Sequence, residues 1–232
     1  MSTKIYAIPG TFCNENVWDE LKNNLPSDIE IINIEIPFKK SVDNIVDSLN
    51  TLLPKGAFNL LGFSFGGYLA SAFAIKYPHR VEKLMVVSDA LDKLENAEIN
   101  NRKQYAEIIK EDGFKGLDSK TVMGVLHPTK KYNTQLRDKI ISMSHSMSDG
   151  AAQNQLLATN TRKDCYKKIG QLASPVWFVV GDTDKTVNNK IISKVVSKSH
   201  NFELKQINQS GHFLPLEQPE KLAEIVTNWL VS

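Results

Sequence analysis

Short apolar stretches alternate with amphipathic stretches along most of this chain of 232 residues. The apolar stretches are rich in Val, Ile and Phe, which is typical of buried β-strands. The amphipathic stretches carry apolar residues at three- and four-residue spacing, which predicts helices with one buried face. Alternating strands and helices favour right-handed crossovers and a parallel sheet covered by helices on both faces. The pattern therefore predicts an α/β fold.

The individual elements follow from the apolar runs and from the proline and glycine residues that end them. Strands are predicted at 4–8, 29–36, 57–61, 83–88, 176–180 and 201–207. Helices are predicted at 17–24, 42–53, 67–77, 188–197 and 219–231.

The alternation is interrupted between 91 and 170, where the chain is polar, favours helix and contains no convincing strand. We expect this segment to form a helical lid, or cap, inserted into a core built from 1–90 and 171–232. Doubly wound folds bind ligands at the carboxyl ends of their strands, and the lid is expected to cover that edge.

The sequence GFSFG at 62–66 lies between a predicted strand and a predicted helix. A serine between two glycines at such a sharp turn is how one class of enzymes presents a nucleophile, which here is Ser64. The glycines allow the strand and the helix to approach closely, because a side chain at either position would collide. An ordinary Gly/Ser turn is the simpler alternative.

A serine hydroxyl needs a general base, and the base needs a third group that orients it. Of the five histidines, His212 alone lies in a loop directly after a predicted strand, at the same sheet edge as Ser64. A surface loop histidine is the alternative interpretation. Two acids, Asp182 and Asp184, follow the strand at 176–180, and the chemistry of the residues leaves both open. Asp182 could equally shape its own turn.

These motifs resemble the α/β-hydrolase superfamily, and the resemblance covers nearly all of the chain. It is nearest to the small, lidded carboxylesterases, enol-lactonases and carbon–carbon bond hydrolases. In that family the acid stands three residues after a glycine that ends a strand. The resemblance therefore favours Asp184 over Asp182 and implies a catalytic triad of Ser64, Asp184 and His212.

The family also stabilises the oxyanion of the reaction with two backbone N–H groups. The resemblance implies that Phe65 supplies one of them. The loop after the first strand supplies the other, with Thr11 as first choice and Phe12 as second. This loop departs from the family, because Pro9 stands where a histidine precedes the glycine in most members.

The resemblance further implies a sheet of about six parallel strands that lacks the usual N-terminal hairpin, with the strand at 29–36 at one edge. An edge strand can pair with another chain, and we expect a monomer or a weak homodimer. The sequence NTRKD at 160–164 resembles an Arg-x-Asp element that links lid and core in one lidded subgroup.

The lid segment 91–170 carries 14 Lys/Arg against 10 Asp/Glu, which is usually a solvated surface but could favour an anionic substrate. Met123, Met143 and Met147 are candidates for lining an adaptable apolar pocket, with packing between helices as the alternative.

Composition and charge argue against several classes of binding partner. A net charge of +2 without basic patches argues against nucleic acid, and the sequence has no apolar stretch long enough to insert into a membrane. Two cysteines, Cys13 and Cys165, have neither metal-ligand nor disulfide-framework spacing, so no metal or cofactor is expected. The start of the sequence lacks the apolar stretch of a signal peptide, which favours the cytoplasm.

We therefore expect a serine hydrolase that cleaves a small carboxylic ester, thioester or lactone through an acyl-enzyme. A carbon–carbon hydrolase or lyase with the same triad remains open, as does a ligand-binding protein with slow turnover.

Overall fold

The structure, a computed structural model, describes residues 2–232 and contains the predicted parallel sheet. Its six strands are β1 (Thr3–Ile8), β2 (Ile29–Asn33), β3 (Phe58–Phe63), β4 (Val81–Val87), β5 (Val176–Gly181) and β6 (Phe202–Ile207). Their order across the sheet is β2-β1-β3-β4-β5-β6, and each neighbouring pair is parallel. The number of strands, their direction and the edge position of β2 are confirmed.

Eleven α-helices lie within the described residues. They are α1 (Asp19–Asn24), α2 (Val42–Leu52), α3 (Phe65–Lys76), α4 (Asn96–Asp112), α5 (Ser119–Val125), α6 (Thr134–His145), α7 (Asp149–Thr159), α8 (Tyr166–Ile169), α9 (Asn189–Val196), α10 (Leu214–Glu217) and α11 (Pro219–Val231). Short 3₁₀ turns at Glu15–Trp18 and Pro78–Arg80 precede α1 and β4. No helix within residues 2–232 combines the length and the apolar character needed to cross a bilayer.

Successive residues of a strand point to opposite faces of the sheet, and both faces are buried here. In β4, Leu84 and Val86 join the apolar cluster under α2, α3 and α9, whereas Met85 and Val87 join the cluster under α1 and α11. Since all four side chains have no solvent exposure, the near-continuous apolar runs of the sequence are explained by a sheet covered on both sides.

Helix α2 illustrates how local sequence sets an element. Ser41 caps it by accepting a hydrogen bond from the backbone N–H of Asn44, and its apolar residues return at three- and four-residue spacing. Ile45 and Leu49 are fully buried on that face. The helix ends at Leu52, just before the proline at position 54 that has no N–H to continue it.

The inserted segment contains α4 to α8 and, as predicted, no strand. Its helices divide into two groups. Val122 of α5 and Ile140 of α6 belong to the same buried cluster as Trp18 of the core. Helices α4 and α7 pack against each other and form a separate apolar cluster over Phe12. One half of the insertion is therefore continuous with the core, and the other half covers the loop after β1.

Several predicted boundaries were wrong by two or three residues, among them the end of the strand at 57–61 and the start of the strand at 83–88. The predicted strand at 29–36 ends at Asn33, and the predicted helix at 67–77 begins two residues earlier, at Phe65. The start of this helix matters most, because β3 runs to Phe63 and α3 begins at Phe65, which leaves a single residue for the turn.

Candidate active site

Ser64 is that single turn residue. Its φ is 52° and its ψ is −123°, in a region of backbone geometry that residues with a Cβ rarely adopt. The flanking glycines make the turn possible: a Cβ on Gly62 would lie 2.2 Å from the carbonyl oxygen of Gly66, and one on Gly66 would lie 2.1 Å from that of Ile8. Ser64 therefore stands on a strained turn at the N-terminus of α3 and at the carboxyl edge of the sheet.

The structure brings Ser64, His212 and Asp184 together. Nε2 of His212 lies 3.0 Å from Oγ of Ser64, and Nδ1 of His212 lies 2.9 Å from Oδ2 of Asp184. A carboxylate only accepts hydrogen bonds, so Nδ1 carries the proton in this pair. The lone pair of Nε2 then faces the Ser64 hydroxyl, as a general base requires.

Thr186 is a further neighbour of this pair that sequence reasoning missed. The other carboxylate oxygen of Asp184, Oδ1, accepts hydrogen bonds from the Thr186 N–H at 2.9 Å and from its hydroxyl at 2.7 Å. The same hydroxyl oxygen lies 2.8 Å from Nδ1 of His212. Thr186 therefore holds the orientation of the carboxylate and touches the proton that Asp184 shares with His212. Its place two residues after the acid was the only available signal.

The two titratable groups shift each other's pKa in opposite directions. Burial alone would lower the pKa of His212, but the Asp184 carboxylate, by charge and by hydrogen bonding, raises it above its usual value. Burial would raise the pKa of Asp184, yet His212 and the two hydrogen bonds from Thr186 lower it below its usual value. Asp184 is therefore held ionised, and the imidazolium form of His212 is stabilised by its partner.

Asp182 has a different place. Its two carboxylate oxygens accept hydrogen bonds from the backbone N–H groups of Gln209 and Ser210, at 3.0 and 3.1 Å. These residues begin the loop that carries His212. Asp182 therefore shapes the histidine loop without touching the imidazole, while Asp184 contacts it.

Glu217 of α10 connects the loop that carries His212 to the inserted segment through hydrogen bonds. It too was not predicted from the sequence. Its buried carboxylate accepts hydrogen bonds from the N–H of Gly211 and from the N–H of His127. Burial raises the pKa of Glu217, although these hydrogen bonds oppose the shift. In addition, the N–H of His212 donates to the carbonyl of Val125 at 2.8 Å. These hydrogen bonds connect the loop that carries His212 to the end of α5.

Three backbone N–H groups near Ser64 were expected as oxyanion donors; two of them are free in the described part of the chain, and the third already has an acceptor. The loop after β1 adjoins the nucleophile, since a Cβ on Gly10 would lie 3.2 Å from Cβ of Ser64. Within residues 2–232, the N–H groups of Thr11 and Phe65 have no acceptor. The N–H of Phe12, in contrast, donates to Oε1 of Gln155 at 2.9 Å. Phe12 is therefore not a free donor, because Gln155 of α7, in the inserted segment, already accepts its N–H.

A cavity of about 680 Å³ opens over Ser64 and His212, between the sheet edge and the insertion. Its walls contain apolar side chains together with four acidic and four basic side chains. The apolar residues include Phe12, Phe63, Leu94, Leu117, Val125, Leu156 and Phe213. The charged residues are Asp89, Asp92, Glu95, Glu98, Lys93, Arg102, Arg162 and Lys185. The excess of basic residues in the segment 91–170 is therefore not reproduced in the cavity.

The three methionines proposed for the pocket do not line this cavity, and that prediction is corrected. Met143 is 3% exposed and packs in the core cluster under α1, because it continues the apolar face of α6. Met123 places its sulfur 3.5 Å from Nη1 of Arg137. Met147 packs against the cluster of α4 and α7. All three fill space between helices.

Arg162, in the sequence NTRKD, joins the insertion to the core. Its Nη1 and Nη2 donate to the two carboxylate oxygens of Asp89 at 2.9 and 3.0 Å, and both side chains are under 10% exposed. Its guanidinium also lies 4.1 Å from the ring centroid of Tyr68 in α3. The partner is Asp89 after β4, whereas Asp164 accepts a hydrogen bond from the N–H of Lys93. Such a buried, fully paired arginine fixes the geometry of the cavity floor.

Within residues 2–232, no three His, Cys, Asp or Glu side chains are arranged to hold a metal ion. The site itself contains a hydroxyl, an imidazole and a carboxylate in hydrogen-bonded sequence, next to two free backbone donors. Such an arrangement has the chemical capacity to activate a nucleophile and to stabilise an oxyanion.

Comparison with known proteins places these features in a family. Residues 37–219 match the family model described as the alpha/beta hydrolase fold. A Bacillus subtilis relative, named as a candidate 2-succinyl-6-hydroxy-2,4-cyclohexadiene-1-carboxylate synthase, is 23% identical over 189 residues. The match covers 75% of this chain and 65% of that relative.

Two solved structures share the fold. An esterase from Thermogutta terrifontis has a TM-score of 0.87 and 21% identity, covering 100% of this chain and 90% of the other. An enol-lactonase from Burkholderia xenovorans LB400 has a TM-score of 0.85 and 13% identity, covering 100% and 92%. At these identities the structural likeness concerns the fold alone.

Proposed function

The chain belongs to the α/β-hydrolase family, and we propose that this enzyme cleaves small carboxylic esters, including lactones, through an acyl-enzyme on Ser64. The observation that carries the proposal is the unbroken hydrogen-bonded sequence from Ser64 through His212 to Asp184, with separations of 3.0 and 2.9 Å. The esterase and the enol-lactonase with the same fold act on bonds of this class, which supports the choice.

The geometry suits a two-step acyl transfer. In the first step His212 takes the proton of Ser64 while Oγ attacks the ester carbonyl, and the resulting imidazolium is stabilised by Asp184. The oxyanion accepts hydrogen bonds from the N–H groups of Phe65 and Thr11, and each such donor contributes about 3 kcal/mol to lowering the barrier. When the tetrahedral intermediate collapses, His212 gives its proton to the departing alcohol oxygen.

In the second step water replaces the alcohol. His212 removes a proton from water as the water oxygen attacks the acyl carbonyl, and the same two N–H groups stabilise the second oxyanion. Collapse of this intermediate breaks the acyl bond to Ser64, and His212 returns the proton to Oγ. The products are a carboxylic acid and an alcohol, and the enzyme recovers its starting protonation state.

The cavity supports a small ester without a large net charge. Its volume of about 680 Å³ is in the range of pockets for small molecules, and its acidic and basic residues balance. An anionic substrate would gain no net attraction from the walls as a whole. We infer that the insertion acts as a lid, since α4 and α7 cover the loop that carries Thr11.

The test is the hydrolysis of a series of p-nitrophenyl esters of increasing acyl length by wild type and by Ser64→Ala. We expect turnover with a preference for short acyl chains, and loss of turnover in the variant. Ser71→Ala provides a matched control: Ser71 is a buried serine in α3, the helix that follows Ser64, and its hydroxyl donates to the carbonyl of Gly67 and does not line the cavity. Absence of wild-type turnover, or equal loss in both variants, would contradict the proposal.

The name of the Bacillus subtilis relative favours a second candidate, a lyase that uses the same serine and histidine for proton abstraction. Water labelled with ¹⁸O separates the two reactions. Hydrolysis introduces one solvent oxygen into the carboxylic acid product, whereas elimination introduces none. A ligand-binding protein with slow turnover would form no more than one molecule of either product for each enzyme molecule.

A further inference from the structure

Ser88 is a buried hydroxyl beside the nucleophile that the reaction does not use. It follows β4 directly and is 2% exposed. Within residues 2–232, its Oγ has no hydrogen-bond partner, and the residue lines the cavity over Ser64. Its φ of 56° lies in the left-handed region, which is unfavourable for a residue with a Cβ. Both the strain and the unpaired hydroxyl call for an explanation, since buried polar groups in folded proteins are almost always paired.

The sheet register places Ser88 next to Ser64. Phe63 and Val87 are register partners on the neighbouring strands β3 and β4, and the N–H of Ser64 donates to the carbonyl of Val87 at 2.8 Å. Ser88 is the next residue on β4, and paired strands are about 4.8 Å apart. Ser88 is therefore about one strand spacing from the nucleophile, at the side of the cavity that faces β4.

The polar groups next to Ser88 in the sequence, the Asp89 carboxylate and the backbone N–H of Ser88, already have hydrogen-bond partners. Both carboxylate oxygens of Asp89 accept from Arg162, and one of them also accepts from the N–H of Leu91. The N–H of Ser88 itself donates to the carbonyl of Val179. The Ser88 hydroxyl has no partner among the described residues and lines the cavity, so a molecule bound there can supply one.

We propose that the Ser88 hydroxyl binds an oxygen substituent on the acyl part of the substrate, so that the enzyme prefers esters of hydroxy or oxo acids. This inference rests on the proposed function. With the acyl carbon bonded to Oγ of Ser64, a group that hydrogen-bonds to a hydroxyl one strand away is on the second or third carbon of the acyl chain. A serine hydroxyl both donates and accepts, so it pairs with a substrate hydroxyl or with a carbonyl oxygen.

The experiment compares matched ethyl esters by titration of the acid released: ethyl 3-hydroxybutyrate against ethyl butyrate, and ethyl lactate against ethyl propionate. The measured quantity is the ratio of kcat/KM for the oxygenated ester to that for the plain ester. We expect this ratio to exceed one in wild type for at least one pair. In Ser88→Ala we expect it to fall about tenfold, the effect of losing one well-made hydrogen bond.

Two variants distinguish loss of the hydrogen bond from a change in cavity shape and from a non-specific effect on the enzyme. Ser88→Cys fills nearly the same space with a weak hydrogen-bonding group, and we expect the ratio to stay low. Thr121→Ala removes another hydroxyl-bearing residue of the same cavity, and we expect the ratio of wild type. A wild-type ratio at or below one for both pairs, an unchanged ratio in Ser88→Ala, or recovery in Ser88→Cys would each overturn the proposal.

Binding measurements distinguish failure of this inference from failure of the esterase proposal. In Ser64→Ala, which cannot form the acyl-enzyme, we expect calorimetry to show that 3-hydroxybutyrate binds about tenfold more tightly than butyrate. The double variant Ser64→Ala/Ser88→Ala should bind both acids equally. If wild type hydrolyses no ester but this difference is present, the proposed reaction fails and the Ser88 site stands. If wild type hydrolyses esters and the difference is absent, the Ser88 site fails.

Discussion

Asn substitutions at Asp184 and Asp182 should have different effects: the first should lower kcat, and the second should lower stability. Asp184→Asn keeps the size of the side chain but removes the charge that lies 2.9 Å from Nδ1 of His212. The amide can present N–H groups toward Nδ1, which favours the wrong tautomer of the imidazole and leaves the imidazolium unsupported. The loss of kcat expected for such a change is about 10⁴-fold. At about 1.36 kcal/mol for each factor of ten, this corresponds to about 5.4 kcal/mol of barrier.

Asp182→Asn should act on stability instead. Only one of the two amide atoms accepts hydrogen bonds, so either Gln209 or Ser210 loses the partner of its N–H. Loss of a hydrogen bond to a charged acceptor costs about 2 kcal/mol of unfolding free energy. For a domain of this size the corresponding decrease in Tm is about 4–8 °C. His212 keeps its carboxylate, so kcat should stay within about tenfold of wild type.

The assay combines steady-state hydrolysis of one p-nitrophenyl ester with thermal unfolding of both variants. Active-site titration with a serine-directed phosphonate corrects kcat for misfolded protein. Refutation would come from the opposite ranking, in which Asp182→Asn is the slower enzyme, or from an Asp184→Asn variant within tenfold of wild type. Either result would mean that Asp184 does not orient the base.

Three further predictions concern the groups around the triad. Activity requires neutral His212, whose pKa is lowered by burial but raised on balance by Asp184. The value of kcat/KM should therefore fall as pH drops through a midpoint above the ordinary histidine pKa, and Asp184→Asn should move that midpoint to lower pH. Gln155→Leu leaves the N–H of Phe12 unpaired, and we expect kcat to fall by about tenfold with little change in KM, measured by steady-state kinetics. Thr186→Val should lower kcat by about tenfold, while Thr186→Ser, which retains the hydroxyl, should restore it; equal rates in the two variants would contradict a hydrogen-bonding role.

The parts of the fold that depend on local pattern were predictable from the sequence. The six strands and the helical insertion follow from apolar runs and breakers, and α11 begins and ends where the pattern indicates, at Pro219 and Val231. The start of α3 was misplaced because Gly66 has low intrinsic helix propensity. Tertiary packing decides there: the close approach of α3 to β3 requires residues without a side chain.

The site was predictable where its geometry follows from strand ends and not where it follows from long-range contacts. Ser64 and His212 stand at the same edge of a parallel sheet, so their meeting was expected. Gln155 contacts a residue 143 positions away, and no local signal marks it. Met143 was misread because a methionine on the buried face of α6 cannot be distinguished by pattern from one that lines a pocket.

Covalent labelling tests the central claim, that Ser64 is the nucleophile activated by His212, most directly. The protein is incubated with a fluorophosphonate, and intact mass and peptide mapping locate the adduct. We expect one adduct per chain, on the peptide that contains residues 62–66, absent in Ser64→Ala and formed far more slowly in His212→Ala. An unmodified wild type, or an adduct that persists in Ser64→Ala, would contradict the account.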